Sequence, residues 1–316
     1  MQSTVVIGAT GFLGAHVAAA AFARAREVAT LAEPYGPPVY GVGRDPDAAP
    51  RFCDPRDGIE WVARDLAPAG AAAALLDELE ATEVISCAAL ARLDDCEREP
   101  ARARRVNAEL PGELAAWCAA RAARLVQVST DLVFGRVAPP PAGFGERDEP
   151  APVSTYGETK AAGERATLAA YPAALVVRLP LLYGNSGGRG LGASDWLLEA
   201  VERDERPALF VDEWRTPLEV TNAAEALVEL LEHDARGLLH VAGPERISRY
   251  ELGLATLGAM GLERAEAEGF VRAALRADAP ASAARPADVA LDGRRARGLL
   301  ATPLLGVAAG TRAAVR

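Results

Sequence analysis

Lysine is nearly missing from this chain. Of its 34 Lys and Arg residues in 316, every one but Lys160 is arginine. Cysteine, histidine and aromatic residues are also scarce, at four, three and 5%. Cys53, Cys87, Cys96 and Cys118 form no CxxC pair, and with His16, His233 and His240 scattered in the same way no metal-ligand spacing arises. A metal site is therefore not expected, and four reduced thiols fit a reducing compartment. Positive charge is in deficit too: a net charge of -10 and a pI near 5.0 leave no basic surface for a polyanion, so nucleic acid is not an expected partner. No stretch approaches the roughly 20 apolar residues needed to cross a bilayer, so no membrane association is expected. The opening "MQSTVVIGATGFLG" has no basic leader and reads as a first strand rather than a signal peptide, so a cytoplasmic protein is expected.

Half of the residues are apolar, enough to bury a full core. Short β-branched runs alternate with alanine-rich helical stretches through the first half. The strands read from this rhythm are Thr4–Ile7, Val39–Val42, Glu60–Ala63, Glu83–Ser86, Leu125–Ser129 and Ala174–Arg178. Strand, helix, strand in this order predicts an α/β fold with a Rossmann-type, doubly wound parallel sheet. After Pro180 the pattern loosens into a smaller lobe of short strands and helices. The expected division is a dinucleotide-binding domain over 1–180 and a substrate-binding lobe over 181–316, with the chain crossing back to the core near 219–242.

The run "VVIGATGFLGAH" sets Gly8, Gly11 and Gly14 directly after a strand and at the opening of a helix. Glycine there permits a sharp turn and lets a pyrophosphate approach the helix N-terminus; it equally punctuates strand-to-helix turns with no ligand. The second strand ends "VYGVGRD", where an acidic residue would select a free ribose 2′-hydroxyl and a cation a 2′-phosphate. Arg44 comes first and favours NADP(H); Asp45 follows and keeps NAD(H) open. The third strand ends with Asp65 and Leu66, placed either to flank an adenine or, for Asp65, to cap a helix.

Tyr156 and Lys160 stand four apart in "STYGETKAAGE", on one face of one helix. A surface pair at this spacing contributes about 0.3–0.5 kcal/mol. Six tyrosines in the whole chain make the coincidence with its one lysine unusual, and a cation beside a phenol favours the phenolate, fitting it for proton transfer. A compact ammonium also suits ribose hydroxyls in a way a planar guanidinium does not. The fifth strand ends in Ser129, Thr130 and Asp131, at the edge where doubly wound sheets place ligands, and a hydroxyl there can hold a carbonyl oxygen.

These blocks, with "SCAALARLDDCEREP", "VNAELPGELAAWC", "VVRLPLLYG", "DEWRTPLEV" and "RPADVALD" following in order, resemble the extended short-chain dehydrogenase/reductases, and within them the dTDP-4-dehydrorhamnose reductase type. The resemblance implies a catalytic set of Thr130 (or Ser129 beside it), Tyr156 and Lys160, with Asn107 supporting the lysine through water. It implies cofactor contacts from Gly8, Thr10, Gly11, Phe12, Leu13, Gly14, Arg44, Asp65, Leu66, Cys87, Ala88, Ala89, Tyr156, Lys160 and Leu179. Substrate contacts would come from Ser129, Asp131, Leu181, Trp214, Arg215 and Arg285. Leu132 and Leu181 depart from the family, which tends to carry tyrosine and tryptophan there, so the sugar need not be the rhamnose precursor.

The activity this implies is reduction of a keto group on a nucleotide-linked sugar, or another small carbonyl substrate, by NADP(H). An NAD-dependent epimerase needs only the same residues. A dehydratase would need an acid where Leu132 stands. A non-catalytic binding subunit, resembling the regulatory subunit of methionine adenosyltransferase, is the reading from another class. A homodimer is the prior for such folds.

Overall fold

The computed structural model describes residues 2–29, 36–45, 58–278 and 285–315; Cys53 lies outside them. Seven strands make the main sheet: β1 (Thr4–Ile7), β2 (Val39–Gly43), β3 (Glu60–Ala63), β4 (Glu83–Ser86), β5 (Arg124–Thr130), β6 (Leu175–Leu179) and, after four short strands elsewhere, β11 (Gly237–His240). Their order is β11-β6-β5-β4-β1-β2-β3. Because β1 pairs in parallel with both β2 and β4, the chain runs outward from the middle in one direction and then returns to run outward in the other. This is the doubly wound parallel sheet expected from the sequence.

Parallel strands must be covered on both faces, which explains why every residue of "TVVI" in β1 is buried. The covering helices in this half are α1 (Phe12–Glu27), α2 (Ala71–Glu78), α3 (Leu93–Arg98), α4 (Pro100–Arg104), α5 (Leu110–Arg121) and α6 (Thr155–Ala170), with a π-helical turn at Arg105–Glu109 between α4 and α5. Leu75 and Leu76 of α2 and Leu114 and Cys118 of α5 pack on Val5, Ile7, Val84 and Leu125, all fully or almost fully buried. Each such leucine contributes about 1.5–3 kcal/mol. Trp117 joins this core and satisfies its indole by donating to Asp77 Oδ1 at 3.0 Å.

By its internal contacts the chain forms two compact units. The first comprises Met1–Ser129, Thr155–Arg178 and Ala224–Leu239; the second comprises Thr130–Ser154, Leu179–Ala223 and His240–Arg316. The stretch 130–154, which a single boundary at 180 leaves with the first half, therefore clusters with the second. Its Phe144 shows why: the backbone N–H donates to Ala290 O at 2.8 Å and its carbonyl accepts from Asp292 N at 2.8 Å.

The second unit is built from pairs of short strands: β7 (Leu182–Tyr183) with β10 (Leu218–Glu219), β8 (Ala208–Phe210) with β13 (Arg272–Ala274), and β9 (Trp214–Arg215) with β12 (Ile247–Ser248). Its helices include α7 (Ala193–Glu202), α9 (Arg249–Ala259), α10 (Arg264–Phe270), α11 (Arg294–Leu299) and α12 (Val307–Ala314); α8 (Val220–Glu229) begins here and continues in the first unit. Leu197, Leu209, Leu254 and Leu257 form its main core.

Candidate active site

β1 ends at Ile7 and the chain turns at Gly8, where φ is +80° and an added Cβ would lie 2.7 Å from the Ala88 amide. At Gly14 a Cβ would lie 2.1 Å from the Gly8 carbonyl oxygen. Both positions are closed to larger residues by backbone alone. Gly11 differs: a Cβ would lie 3.1 Å from the same oxygen, and the residue is exposed at the start of α1. Two glycines thus serve close packing, and the third keeps the helix entrance open. The first amides of α1, those of Phe12 and Leu13, have no acceptor within a helix, which is the chemistry a pyrophosphate needs.

A cleft of about 280 Å³ opens beside this turn, lined by Gly8, Thr10 and Gly11 from the turn and by Cys87, Ala88 and Ala89 after β4. Arg44, Asp65 and Leu66 also line it. Gly43 makes room for Thr10, whose Cγ2 would lie 2.5 Å from a Cβ there. The glycine turn and the small residues after β4 fit the pyrophosphate and adenosine end of a dinucleotide; Tyr156, Lys160 and Leu179 do not line this cleft. Asp65 does not cap a helix: α2 starts at Ala71 behind Gly70, and Asp65 Oδ1 instead accepts from the Ala67 amide at 3.0 Å. Burial pushes the Cys87 thiol up to about 12, so it faces the cleft uncharged.

Arg64 and Arg102 line the same cleft and escaped the sequence reading. For Arg64 the signal was its place at the end of β3, beside Asp65. Arg64 pairs with Glu78 at 2.9 Å and Arg102 with Glu99 at 3.0 Å, whereas Arg44 is exposed and has no ion pair among the described residues.

Tyr156 and Lys160 occupy the first two turns of α6, the tyrosine half-buried and the lysine buried. Lys160 Nζ donates to the Val128 carbonyl oxygen of β5 at 2.7 Å. Burial lowers its pKa to about 8, against the opposing pull of the Glu164 carboxylate. Asn107 lies in the π-helical turn, which re-aims its side chain. Its Nδ2 donates to Leu90 O and Thr159 Oγ1, each at 3.1 Å, and its Oδ1 accepts from Leu90 N at 2.9 Å. Gly163 makes this approach possible, since a Cβ there would lie 2.2 Å from Asn107 O.

Ser129 and Thr130 alternate at the end of β5 and are used differently. Ser129 is buried and donates to Glu164 Oε1 at 2.5 Å. Thr130 Oγ1 accepts from Leu132 N and donates to Asp131 Oδ1, both at 3.2 Å, capping a single 3₁₀ turn over Asp131–Val133. Arg178, near the end of β6, is buried in a two-point pair with Glu164. Leu179 ends β6 and is buried, and Leu181 packs against Tyr183, Leu252 and Val307.

The second unit gathers charge. Asp131 is buried, its Oδ2 lying 3.5 Å from Arg215 Nε and lacking a hydrogen-bond donor among the described residues. Burial raises its pKa to about 6, with Glu213 adding to the rise and Arg215 opposing it. Arg215 also donates to Glu213 Oε1 at 3.2 Å. Trp214, its neighbour in β9, carries the Arg246 guanidinium 4.3 Å above its ring, and Arg285 lies 6.0 Å from the ring of Phe210. Arg249 faces Glu213, Arg215 and Asp131. Of this group, Glu213, Arg246 and Arg249 were not anticipated, because loop residues and the first residue of a helix give no periodic signal.

A family model described as RmlD substrate binding domain matches residues 1–311. The chain belongs to this family. It is 36% identical over 231 residues to dTDP-4-dehydrorhamnose reductase of Mycolicibacterium smegmatis, covering 70% of this chain and 66% of the relative. It is 32% identical over 195 residues to methionine adenosyltransferase 2 subunit beta of Pongo abelii, covering 60% and 57%. The shared stretch is thus under two thirds of either relative's length. In three dimensions it resembles a dTDP-4-dehydrorhamnose reductase from Bacillus anthracis, solved in complex with NADP, with a TM-score of 0.77 and 20% identity over 100% of this chain and 99% of that one. That likeness carries the Rossmann-type fold.

Proposed function

We propose that this RmlD-family chain is an NADP(H)-dependent oxidoreductase that reduces a keto group on a nucleotide-linked sugar, of the dTDP-4-dehydrorhamnose reductase type. One observation carries the reading: the only lysine of the chain is buried on the β5 backbone one helical turn from Tyr156, in a unit that also holds an open glycine turn. The named function of the M. smegmatis relative supports the substrate class, and the NADP in the B. anthracis structure supports the cofactor.

Gly8, Thr10, Gly11, Phe12, Leu13 and Gly14 cradle the cofactor pyrophosphate, Asp65 and Leu66 meet the adenine, and Arg44 pairs with the 2′-phosphate. Bound there, the nicotinamide ring supplies the hydride. Tyr156 holds the proton that the developing alkoxide takes, and the Lys160 ammonium favours its phenolate afterwards. Thr130 orients the carbonyl; the commitment of the Ser129 hydroxyl to Glu164 supports Thr130 over Ser129 in this role. Asn107 positions α6 through Thr159. Asp131, Leu181, Trp214, Arg215 and Arg285 meet the sugar nucleotide, the arginines answering its phosphates. A homodimer in the cytoplasm completes the reading; among the described residues no helix is long and apolar enough to cross a membrane.

The test is NADPH consumption against a panel of 4-keto nucleotide sugars. Tyr156→Phe is expected to lower kcat about 10²–10⁴-fold with NADPH affinity retained. Unchanged turnover rejects the assignment. The likeness to the methionine adenosyltransferase subunit favours a second reading, a binding subunit, which silence across the panel with tight NADP binding and a co-purifying partner would support. Tightly retained, oxidised NAD would point to an epimerase.

A further inference from the structure

A buried ammonium stays charged only where its surroundings favour the charged form. Lys160 has a neutral acceptor in Val128 O at 2.7 Å. The compensating charge stands one helical turn further along α6, at Glu164. That carboxylate accepts from Ser129 Oγ at 2.5 Å and from Arg178 Nε at 2.9 Å, both on Oε1, and from Arg178 Nη2 at 2.7 Å on Oε2. Ser129, Glu164 and Arg178 come from β5, α6 and β6 and are exposed by 4%, 4% and 1%.

Two features separate this clamp from ordinary packing. A buried Glu–Arg pair adds little net stability, since removing two ions from water costs about what their attraction returns; stability alone does not call for one here. Its register also matches the lysine. Val128 and Ser129 are consecutive in β5, and Lys160 and Glu164 are successive turns of α6, so the clamp fixes the helix to the strand at the level where the ammonium meets the backbone. The other groups near Lys160 do not supply negative charge. Cys87, after β4, remains a neutral thiol; Tyr156, one turn earlier on α6, is neutral when it holds its proton; Arg178, on β6, is a cation engaged with Glu164.

We infer that Glu164, clamped by Ser129 and Arg178, is a positioning residue for Lys160: it sets the lysine against β5 and keeps the ammonium charged one turn from Tyr156. The electrostatic part stands by itself, and the catalytic consequence rests on the reductase reading.

Because Lys160 is the only lysine, the full-length protein grown with [6-¹³C]lysine carries a single side-chain resonance, whose pH titration reports this group alone. Glu164→Gln is expected to move the titration midpoint at least ~1 pH unit lower. Arg178→Met, which leaves the Glu164 charge uncompensated, is expected to move it higher. Responses of opposite sign distinguish an electrostatic role from general loosening, which would move both variants towards the solvent value. An unmoved midpoint in folded Glu164→Gln overturns the inference. Should that variant not fold, Glu164→Gln/Arg178→Met, which leaves no buried charge over, carries the test: a midpoint below wild type supports the role of Glu164, and one at or above it overturns it. In the assay, the alkaline limb of kcat/KM should fall to lower pH in step with the resonance. A resonance that moves while the limb stays leaves the inference standing and removes Lys160 from the proposed chemistry.

Discussion

The glycine turn of the first unit and the arginine-bearing loops of the second both suit an anion, and they are built from different materials. The turn offers backbone: Gly8 and Gly14 are held by contacts in which a Cβ would come within 2.7 and 2.1 Å of main-chain atoms, and the exposed Arg44 is the cleft arginine without an ion pair among the described residues. The loops offer buried charge: Asp131, Glu213 and Arg215 are each less than a tenth exposed and press on one another. Backbone geometry is indifferent to pH and intolerant of volume. A buried charge cluster tolerates shape better, and its balance changes when one member takes up a proton.

That contrast breaks most sharply at Gly14. Gly14→Ala is expected to abolish cofactor binding and destabilise the first unit by about 1–3 kcal/mol, read by thermal unfolding and NADPH fluorescence titration. An unchanged melting curve would show that the turn can yield and that the contrast is overstated. Arg44→Ala should act more narrowly. Losing one charge-assisted contact worth about 1.5–3 kcal/mol should weaken NADPH roughly 10–100-fold and leave NADH little changed, which paired titrations would check. Equal losses for both cofactors would assign Arg44 to the pyrophosphate instead.

The smallest effect is expected at Asp131. Its folded pKa of about 6 lies above the ordinary 3.8, so the folded state takes up a proton that the unfolded state does not between those values. Stability from this group therefore grows as pH falls from about 6 towards 3.8 and is lost as pH rises through 6. Asp131→Asn should remove that dependence. Urea midpoints of the two proteins between pH 4.5 and pH 7.5, the range set by the same rise, would show it. Parallel curves would mean that Arg215 holds the carboxylate ionised throughout.

The first unit was legible because inner strands such as β1 and β4 are short apolar runs buried on both faces, which leaves one reading; β1, β4 and the half-exposed edge strand β3 fall on the residues the periodicity names. Arg44, Asp65, Gly8 and Gly11 were legible as cleft residues because strand ends in such a sheet are where ligands sit. Glu164 and Arg178 were not, since a glutamate and an arginine 14 residues apart carry no local sign that they will meet. Trp214 and Arg215 could be named only through the family resemblance: a two-residue strand such as β9 has no period to detect, and its partners in β12 lie more than 30 residues downstream. The cluster around them is a product of tertiary structure.

The edge strand β11 has a practical consequence. It is contributed by residues 237–240, some sixty positions after β6, which it flanks. A fragment ending at 180 would keep the glycine turn, Tyr156 and Lys160 and yet expose the amides and carbonyls along one side of β6, inviting other molecules to add a strand there. Separating the first unit for study therefore means grafting the later segment back onto it, by permutation or by fusion across a linker.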